Sequence, residues 1–163
     1  MKNTILKDVI RATAIALIAT FAGISAAAQS DQSSHSRSLE GVWNLQVTRV
    51  NCQTGAVIAN FPAMHMYMRG GTMEDFGAQN SPTLRGPGYG TWTFESGTRY
   101  SLTFQFFRFN PDGTLAGRNV ARQTNELSDD GNHLMQTSVA QALDVNGNVL
   151  GTNCATAIGT RFE

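Results

Sequence analysis

The residues best equipped for chemistry lie in one short run, "MHMYMR", over residues 64–69. In a β-strand, successive side chains point to opposite faces, so His65, Tyr67 and Arg69 would share one face and the methionines the other. If these three polar side chains face the interior, they could bind the polar group of a ligand. It could equally serve a cofactor-independent isomerase or cyclase. These three residues are therefore the candidate catalytic groups.

The alternative orientation places the methionines of this run in the core and the polar trio in solvent, and it is the favoured interpretation. The sequence offers few other candidate catalytic residues. His133 falls at a turn signal, and Glu74 and Asp75 are adjacent, so in a strand they face opposite ways and cannot act as a carboxylate pair. No residues mark the orienting acid or oxyanion hole of a nucleophilic triad. The sequence therefore leans against an enzyme and predicts no cofactor.

The N-terminus has the features of a cleaved secretory signal. A basic start is followed by an uncharged apolar run and by an A-x-A site that ends at Ala28. A membrane anchor is the alternative, but the run is shorter than the roughly 20 residues that a spanning helix needs. We expect a signal peptide over residues 1–28, a disordered polar tether over 29–38, and one barrel domain over 39–163. The protein is then secreted or periplasmic, of bacterial style, with no stable membrane span in the mature chain.

Charge composition excludes several functions for the mature chain. Both lysines lie in the signal segment, and from Gln29 onward the chain has nine arginines and eleven carboxylates. Without lysine, Schiff-base chemistry is impossible. A slightly acidic chain without a basic patch is also not expected to bind nucleic acid.

Two cysteines, Cys52 and Cys154, are present. An even number in a secreted chain favours a disulfide, because the compartment is oxidising. Two separate buried thiols are the alternative. A metal site is not predicted, because the two cysteines lack the local spacing of a metal-binding motif.

Short runs rich in β-branched and aromatic residues alternate with glycine, proline and asparagine turn signals along the whole mature chain. This pattern favours an all-β, eight-stranded antiparallel up-and-down barrel. The predicted strands cover residues 42–50, 64–69, 72–78, 90–95, 99–109, 115–126, 134–145 and 149–162. A Gly/Pro-rich loop over residues 79–88 is either a lid at the barrel mouth or a slack connection.

Closure of such a barrel requires the first and last strands to pair antiparallel. Cys52 then lies beside Cys154 at one end, and Arg161 covers the indole of Trp43 at the other in a cation–π contact. In one continuous antiparallel ladder, the residue numbers of every directly opposed pair have the same sum. The sum for the two cysteines is larger by two than the sum for Trp43 and Arg161, so both pairs do not fit one register. Either a bulge intervenes, or Cys52 lies in the loop just past the ladder.

The "GVW" run from Gly41 to Trp43, together with Arg161 in "GTRFE", resembles the signature of the calycin superfamily of lipocalins and related small barrels. The resemblance implies a barrel closed at one end by this Trp–Arg pair. The chain departs from lipocalins because it ends just past the last strand, without their helix, and lacks a counterpart of their middle motif. It also has too few tryptophans for an avidin-type pocket. We describe it as lipocalin-like, with no assigned subfamily.

An eight-stranded barrel encloses either packed side chains or one small ligand. We expect the lumen to bind a small, mostly apolar ligand that enters at the Cys52 end. A filled structural or interaction barrel and the isomerase or cyclase are the alternatives. The second face of the strand over residues 99–109 carries Phe107 and Phe109 and offers an oligomer contact. The predicted ligand-binding residues are Phe61, Met64, Met66, Tyr100, Phe104 and Phe106.

Overall fold

The structure, a computed structural model, describes residues 38–162 as a closed barrel of eight strands. Each strand pairs antiparallel with the next along the chain, and β8 pairs with β1. This confirms the predicted all-β up-and-down barrel. The expected signal peptide and nearly all of the expected tether lie outside the described residues. The strands are β1 Gly41–Val50, β2 Val57–Met68, β3 Thr72–Gly77, β4 Arg85–Ser96, β5 Arg99–Phe109, β6 Leu115–Leu127, β7 His133–Leu143 and β8 Val149–Arg161.

Two strands, β2 and β4, are several residues longer than the sequence predicted. β2 begins at Val57, and its first two residues are both exposed, so this stretch lacks the alternation that marks a half-buried strand. β4 begins at Arg85, inside the Gly/Pro-rich segment. The β4–β5 register shifts between Arg85 and Gly88, and this irregularity accommodates Pro87, which has no N–H to donate.

One end of the barrel is closed by Trp43 and Arg161. The two residues are direct partners across β1 and β8, as predicted, and the guanidinium carbon lies 4.5 Å from the indole ring centroid. Arg161 also donates hydrogen bonds to the carbonyls of Ser38, Glu40 and Gly131. Gly41 has φ +120, and a Cβ there would lie 2.9 Å from Arg161 Nη1. A glycine is therefore needed at this position for both backbone conformation and space.

The other end carries the Cys52–Cys154 disulfide, which confirms the predicted pairing. Strand pairing runs without a shift from Trp43–Arg161 to Val50–Cys154, and Cys52 lies in the turn beyond β1. The loop placement is therefore the correct alternative of the two considered for the register. The disulfide fits a protein that folds in an oxidising compartment.

The packed core occupies the half of the barrel next to the Trp43–Arg161 end. Trp43 and Leu45 of β1 point inward, as do Tyr100 and Leu102 of β5, and all four are buried. On the opposite face of β5, Phe107 is exposed; the proposed oligomer contact there stays a prediction. Among the described residues there is no helix long and apolar enough to span a bilayer.

Replacing Arg161 by alanine should uncap the Trp43 indole and remove the bonds to three carbonyl groups. We expect a red shift of tryptophan emission and a loss of about 2–4 kcal/mol in the free energy of unfolding. The emission is best measured in a Trp92→Phe background, where Trp43 is the only tryptophan. Arg122→Ala, at an exposed position of β6, is the control. Unchanged emission in the Arg161 variant would contradict the closed-end assignment.

Removing both cysteines by Cys52→Ser and Cys154→Ser should lower the free energy of unfolding by about 4–5 kcal/mol, since the disulfide closes a long loop. Urea unfolding monitored by circular dichroism measures this loss. Reduced wild-type protein should match the double variant. Maleimide labelling of the unreduced, denatured protein at two sites would show that the bond does not form.

Candidate ligand-binding site

A cavity of about 290 Å³ occupies the half of the lumen that faces the disulfide end. Its apolar wall includes three predicted ligand-binding residues, Phe61, Phe104 and Phe106. Gln79 and Asn80, from the loop between β3 and β4, also line it. The segment treated in the sequence as a lid or a slack connection therefore borders the cavity at the barrel mouth.

The methionines of β2 do not line this cavity, contrary to the favoured interpretation of the sequence. Met64 and Met66 are 43% and 37% exposed on the outer wall, whereas His65 is only 3% exposed inside. The physical reason is the pairing of β2 with β1. His65 lies directly opposite Trp43, and directly opposed residues share a face, so the inward position of Trp43 turns His65 inward as well.

Two further expectations need correction. Arg69 is exposed and lies 3.6 Å from Glu40 on the outside, so it does not accompany His65 and Tyr67 into the lumen. Tyr100 points inward but packs beside Trp92 in the closed half, and it does not contribute to the cavity wall. Only two of the three candidate catalytic groups are therefore inside the barrel.

His65 and Tyr67 belong to a buried hydrogen-bond network. Asn125 Nδ2 donates to the Tyr67 hydroxyl oxygen over 2.9 Å, and that oxygen lies 2.7 Å from His65 Nδ1. With this amide orientation the Tyr67 O–H donates to Nδ1. The opposite nitrogen, His65 Nε2, lies 3.2 Å from Asp75 Oδ2 and donates to it. The network thus links β2, β3 and β6 across the floor of the cavity.

Asp75 continues the network to Arg85. The Arg85 Nη2 group donates to Asp75 Oδ1, and the two side chains form a buried ion pair. The Arg85 guanidinium also lies 3.9 Å from the ring centroid of Phe106. Gly88, opposite Asp75, leaves room for this pair, since a Cβ there would lie 2.7 Å from Asp75 Oδ1.

The environment shifts two pKa values in the network. For Asp75, burial by itself would raise the pKa. The hydrogen bond from His65 and the charge and hydrogen bond of Arg85 outweigh the effect of burial, so the pKa of Asp75 is lowered. For Tyr67, burial raises the pKa far above its usual range, although the bond from Asn125 acts the other way. Tyr67 is therefore a neutral donor, and Asp75 is a stable anion.

This arrangement favours positioning over proton transfer to a ligand. Both ring nitrogens of His65 already have partners inside the protein, so neither is free to contact a bound molecule. Both carboxylate oxygens of Asp75 are likewise engaged. The network holds four strands in register around the floor of the cavity.

Unpartnered polar atoms surround the cavity on its other walls. Among residues 38–162, six buried side-chain atoms have no hydrogen-bond partner, and five of them belong to cavity-lining residues. Buried polar groups are usually paired, so the residues around the cavity have fewer internal hydrogen bonds than expected, although the five atoms themselves are shielded from solvent. The five are Arg49 Nε, Arg108 Nε, Asn119 Oδ1, Gln123 Oε1 and Gln136 Oε1.

Most of the polar residues in this region were not predicted from the sequence. Asp75 was set aside because its neighbour Glu74 faces the other way, although a single inward carboxylate is what His65 requires. One feature of the sequence could have identified Gln123, Asn125 and Gln136 as lumen-facing residues. They fall on alternate positions of β6 and β7 that also hold buried hydrophobic residues, which is the period of a lumen-facing side.

A wider depression of about 750 Å³ lies mainly over the outer surface of β1, β7 and β8 and includes Gln46, Met135 and Ile158. We place the candidate site in the lumen because the barrel wall surrounds that cavity and its lining combines phenylalanines with arginine, asparagine and glutamine residues. Within residues 38–162, no group of three or more His, Cys, Asp or Glu side chains is arranged to hold a metal ion.

Comparison with known proteins gives no family assignment: no protein-family model matches the chain, and no curated protein matches it significantly.

Replacing Asp75 by asparagine should leave the buried Arg85 guanidinium without its counter-charge. We expect the free energy of unfolding at pH 7 to fall by about 3–5 kcal/mol. Replacing Arg85 by methionine in the same chain should recover part of the loss, because no charge is then left unpaired. Glu74→Gln, at the neighbouring outward position, should have little effect.

The loss should depend on pH. The folded-state pKa of Asp75 is below its unfolded value, so the stabilisation is fully present above the unfolded pKa of about 3.9. It is lost as the pH falls through the folded pKa. The difference between wild type and Asp75→Asn should therefore shrink in acid. Urea unfolding at pH 7 and pH 3 measures it, and an equal difference at both values would contradict the assignment.

Proposed function

We propose that this protein binds a small, mostly apolar molecule in its lumen. The observation that carries the proposal is the cavity of about 290 Å³, which combines an apolar wall with buried polar atoms that lack partners. Ligand pockets in proteins commonly have volumes of about 300–1,000 Å³ and a mostly apolar lining with a few polar groups. The volume is at the low end of that range and therefore favours a small ligand.

The shape of the lining supports a ligand with an apolar body. Three phenylalanines provide large flat contacts, and small residues such as Ala121, Ala140 and Ala157 keep the space between opposite strands open. If larger side chains stood at these alanine positions, the interior would be filled. The pattern favours a binding protein over a barrel whose core is packed throughout.

The catalytic alternative has less support. A cofactor-independent isomerase or cyclase using His65, Tyr67 and Arg69 requires these groups to reach the ligand. Arg69 lies on the outer wall, and both nitrogens of His65 are bound to protein groups. A base with no free nitrogen must lose an internal partner before it can accept a proton from a ligand.

The proposal includes an extracytoplasmic location and lipocalin-like ancestry. A signal peptide was predicted from the N-terminal sequence, and the disulfide fits an oxidising compartment. The closed eight-stranded barrel is compatible with a calycin-like fold. The Trp43–Arg161 contact adds support, because the resemblance to that superfamily rests on these residues.

Titration with N-phenylnaphthylamine, an uncharged probe that fluoresces in apolar surroundings, tests the proposal. Wild-type protein should show saturable binding at one site per chain. Ala140→Phe should abolish it by filling the cavity from β7. Val139→Phe adds bulk at the adjacent exposed position of the same strand and should leave binding unchanged.

Met66→Glu should also leave binding unchanged, because that side chain is on the outer wall. Circular dichroism should show that every variant is folded. No saturable binding by the wild type, or equal loss in Ala140→Phe and Val139→Phe, would reject lumen binding.

A further inference from the structure

The charges that line the cavity are unbalanced. Arg49, Arg85 and Arg108 contribute three guanidinium groups, and Asp75 contributes the single carboxylate. The chain as a whole has equal numbers of basic and acidic residues, so this excess of positive charge is local to the lumen. Arg49 and Arg108 are only partly buried at the barrel mouth, so water screens their charges in part, and an anionic partner would add charge-assisted hydrogen bonds to them.

Only one of the three arginines is neutralised. Arg85 forms its ion pair with Asp75, whereas Arg49 and Arg108 have no carboxylate within 4 Å in the part of the chain that the structure describes. The Nε atoms of both are buried without a hydrogen-bond partner. Arg108 Nη2 donates to the carbonyl of Leu143, and this one bond leaves most of its donors available.

The pairing of β4 with β5 brings two of these arginines together. Arg85 and Arg108 are direct cross-strand partners on the lumen side. Like charges directly opposite each other destabilise a sheet. Asp75 already balances the charge of Arg85, so Arg108 is the member of this pair that an anion at the mouth would neutralise.

We propose that the ligand is a small organic acid, with its anionic group bound by Arg49 and Arg108 and its apolar body directed inward. The proposal rests on the lumen binding proposed above and specifies the chemical class of the ligand. Guanidinium groups suit this role, because their donors form strong charge-assisted bonds to a carboxylate.

The positions of the residues set the orientation of the ligand. Arg49 is the next-to-last residue of β1, and Arg108 holds the same position in β5, so both are at the disulfide end. Val47 and Phe104 lie deeper on the same strand faces, above the floor that contains His65. The acid group is therefore at the mouth and the apolar part in the interior. Asp75 does not repel it, because Arg85 and His65 occupy both carboxylate oxygens.

Displacement of N-phenylnaphthylamine by octanoate and by octanol tests the proposal, because these two competitors differ chiefly in charge. Wild-type protein should bind octanoate at least about tenfold more tightly than octanol, and added salt should reduce the difference. Arg108→Gln and Arg49→Gln should each weaken octanoate binding about tenfold and leave octanol binding unchanged. Arg118→Gln, at an exposed position of β6, is the matched control.

The outcomes separate the two proposals. If the probe binds but octanoate displaces it no better than octanol, or if the arginine variants weaken both competitors equally, the organic-acid assignment is wrong and lumen binding stands. If the probe itself does not bind, both proposals fail. Arg108→Lys keeps the charge and should retain part of the preference for octanoate, which distinguishes loss of charge from loss of packing.

Discussion

The pairing of β1 with β8 is the constraint on which the rest of this structure depends. It converts a chain of hairpins into a closed wall and sets one register from Trp43 to Val50. A cation–π contact holds this seam at one end, and a disulfide holds it just past the other. The two contacts differ in kind, because the first fills space inside the barrel and the second links the chain outside the ladder. As a result, one end is packed and the other can contain a cavity.

The same register determines which side chains face the lumen. With Trp43 inside, His65 on β2 and then Asp75 on β3 follow as direct cross-strand partners. The polar network therefore follows from the closure of the barrel, because the inward residue on each strand determines which residue of the next strand faces inward. It forms a hydrogen-bonded layer between the packed half and the cavity half, in which Asn125 Oδ1 alone lacks a partner among the described residues. Beyond that layer, five buried polar atoms of the lining residues lack hydrogen-bond partners among the described residues, and this half of the interior contains the cavity.

The sequence was sufficient to predict features that depend on local pattern and chain order. Strand number, the Trp43–Arg161 contact and the disulfide follow from turn spacing and from the demand for closure. The alternation in β2 was also visible, but alternation does not say which set of residues faces inward. Methionine is apolar and was therefore assigned to the core. The decisive information was the pairing of His65 with Trp43, which is a non-local property. Arg85 was missed for a similar reason, since its strand begins in a segment that has the composition of a loop.

The outward position of the β2 methionines affects how the protein responds to oxidants. Conversion of Met64, Met66 or Met68 to the sulfoxide adds a polar group to a surface that is already in water. The lumen and its polar network are not involved. Met73, in contrast, is buried in the packed half and is shielded from solvent oxidants. Oxidation of methionine therefore falls first on the outer wall, where the fold tolerates it best.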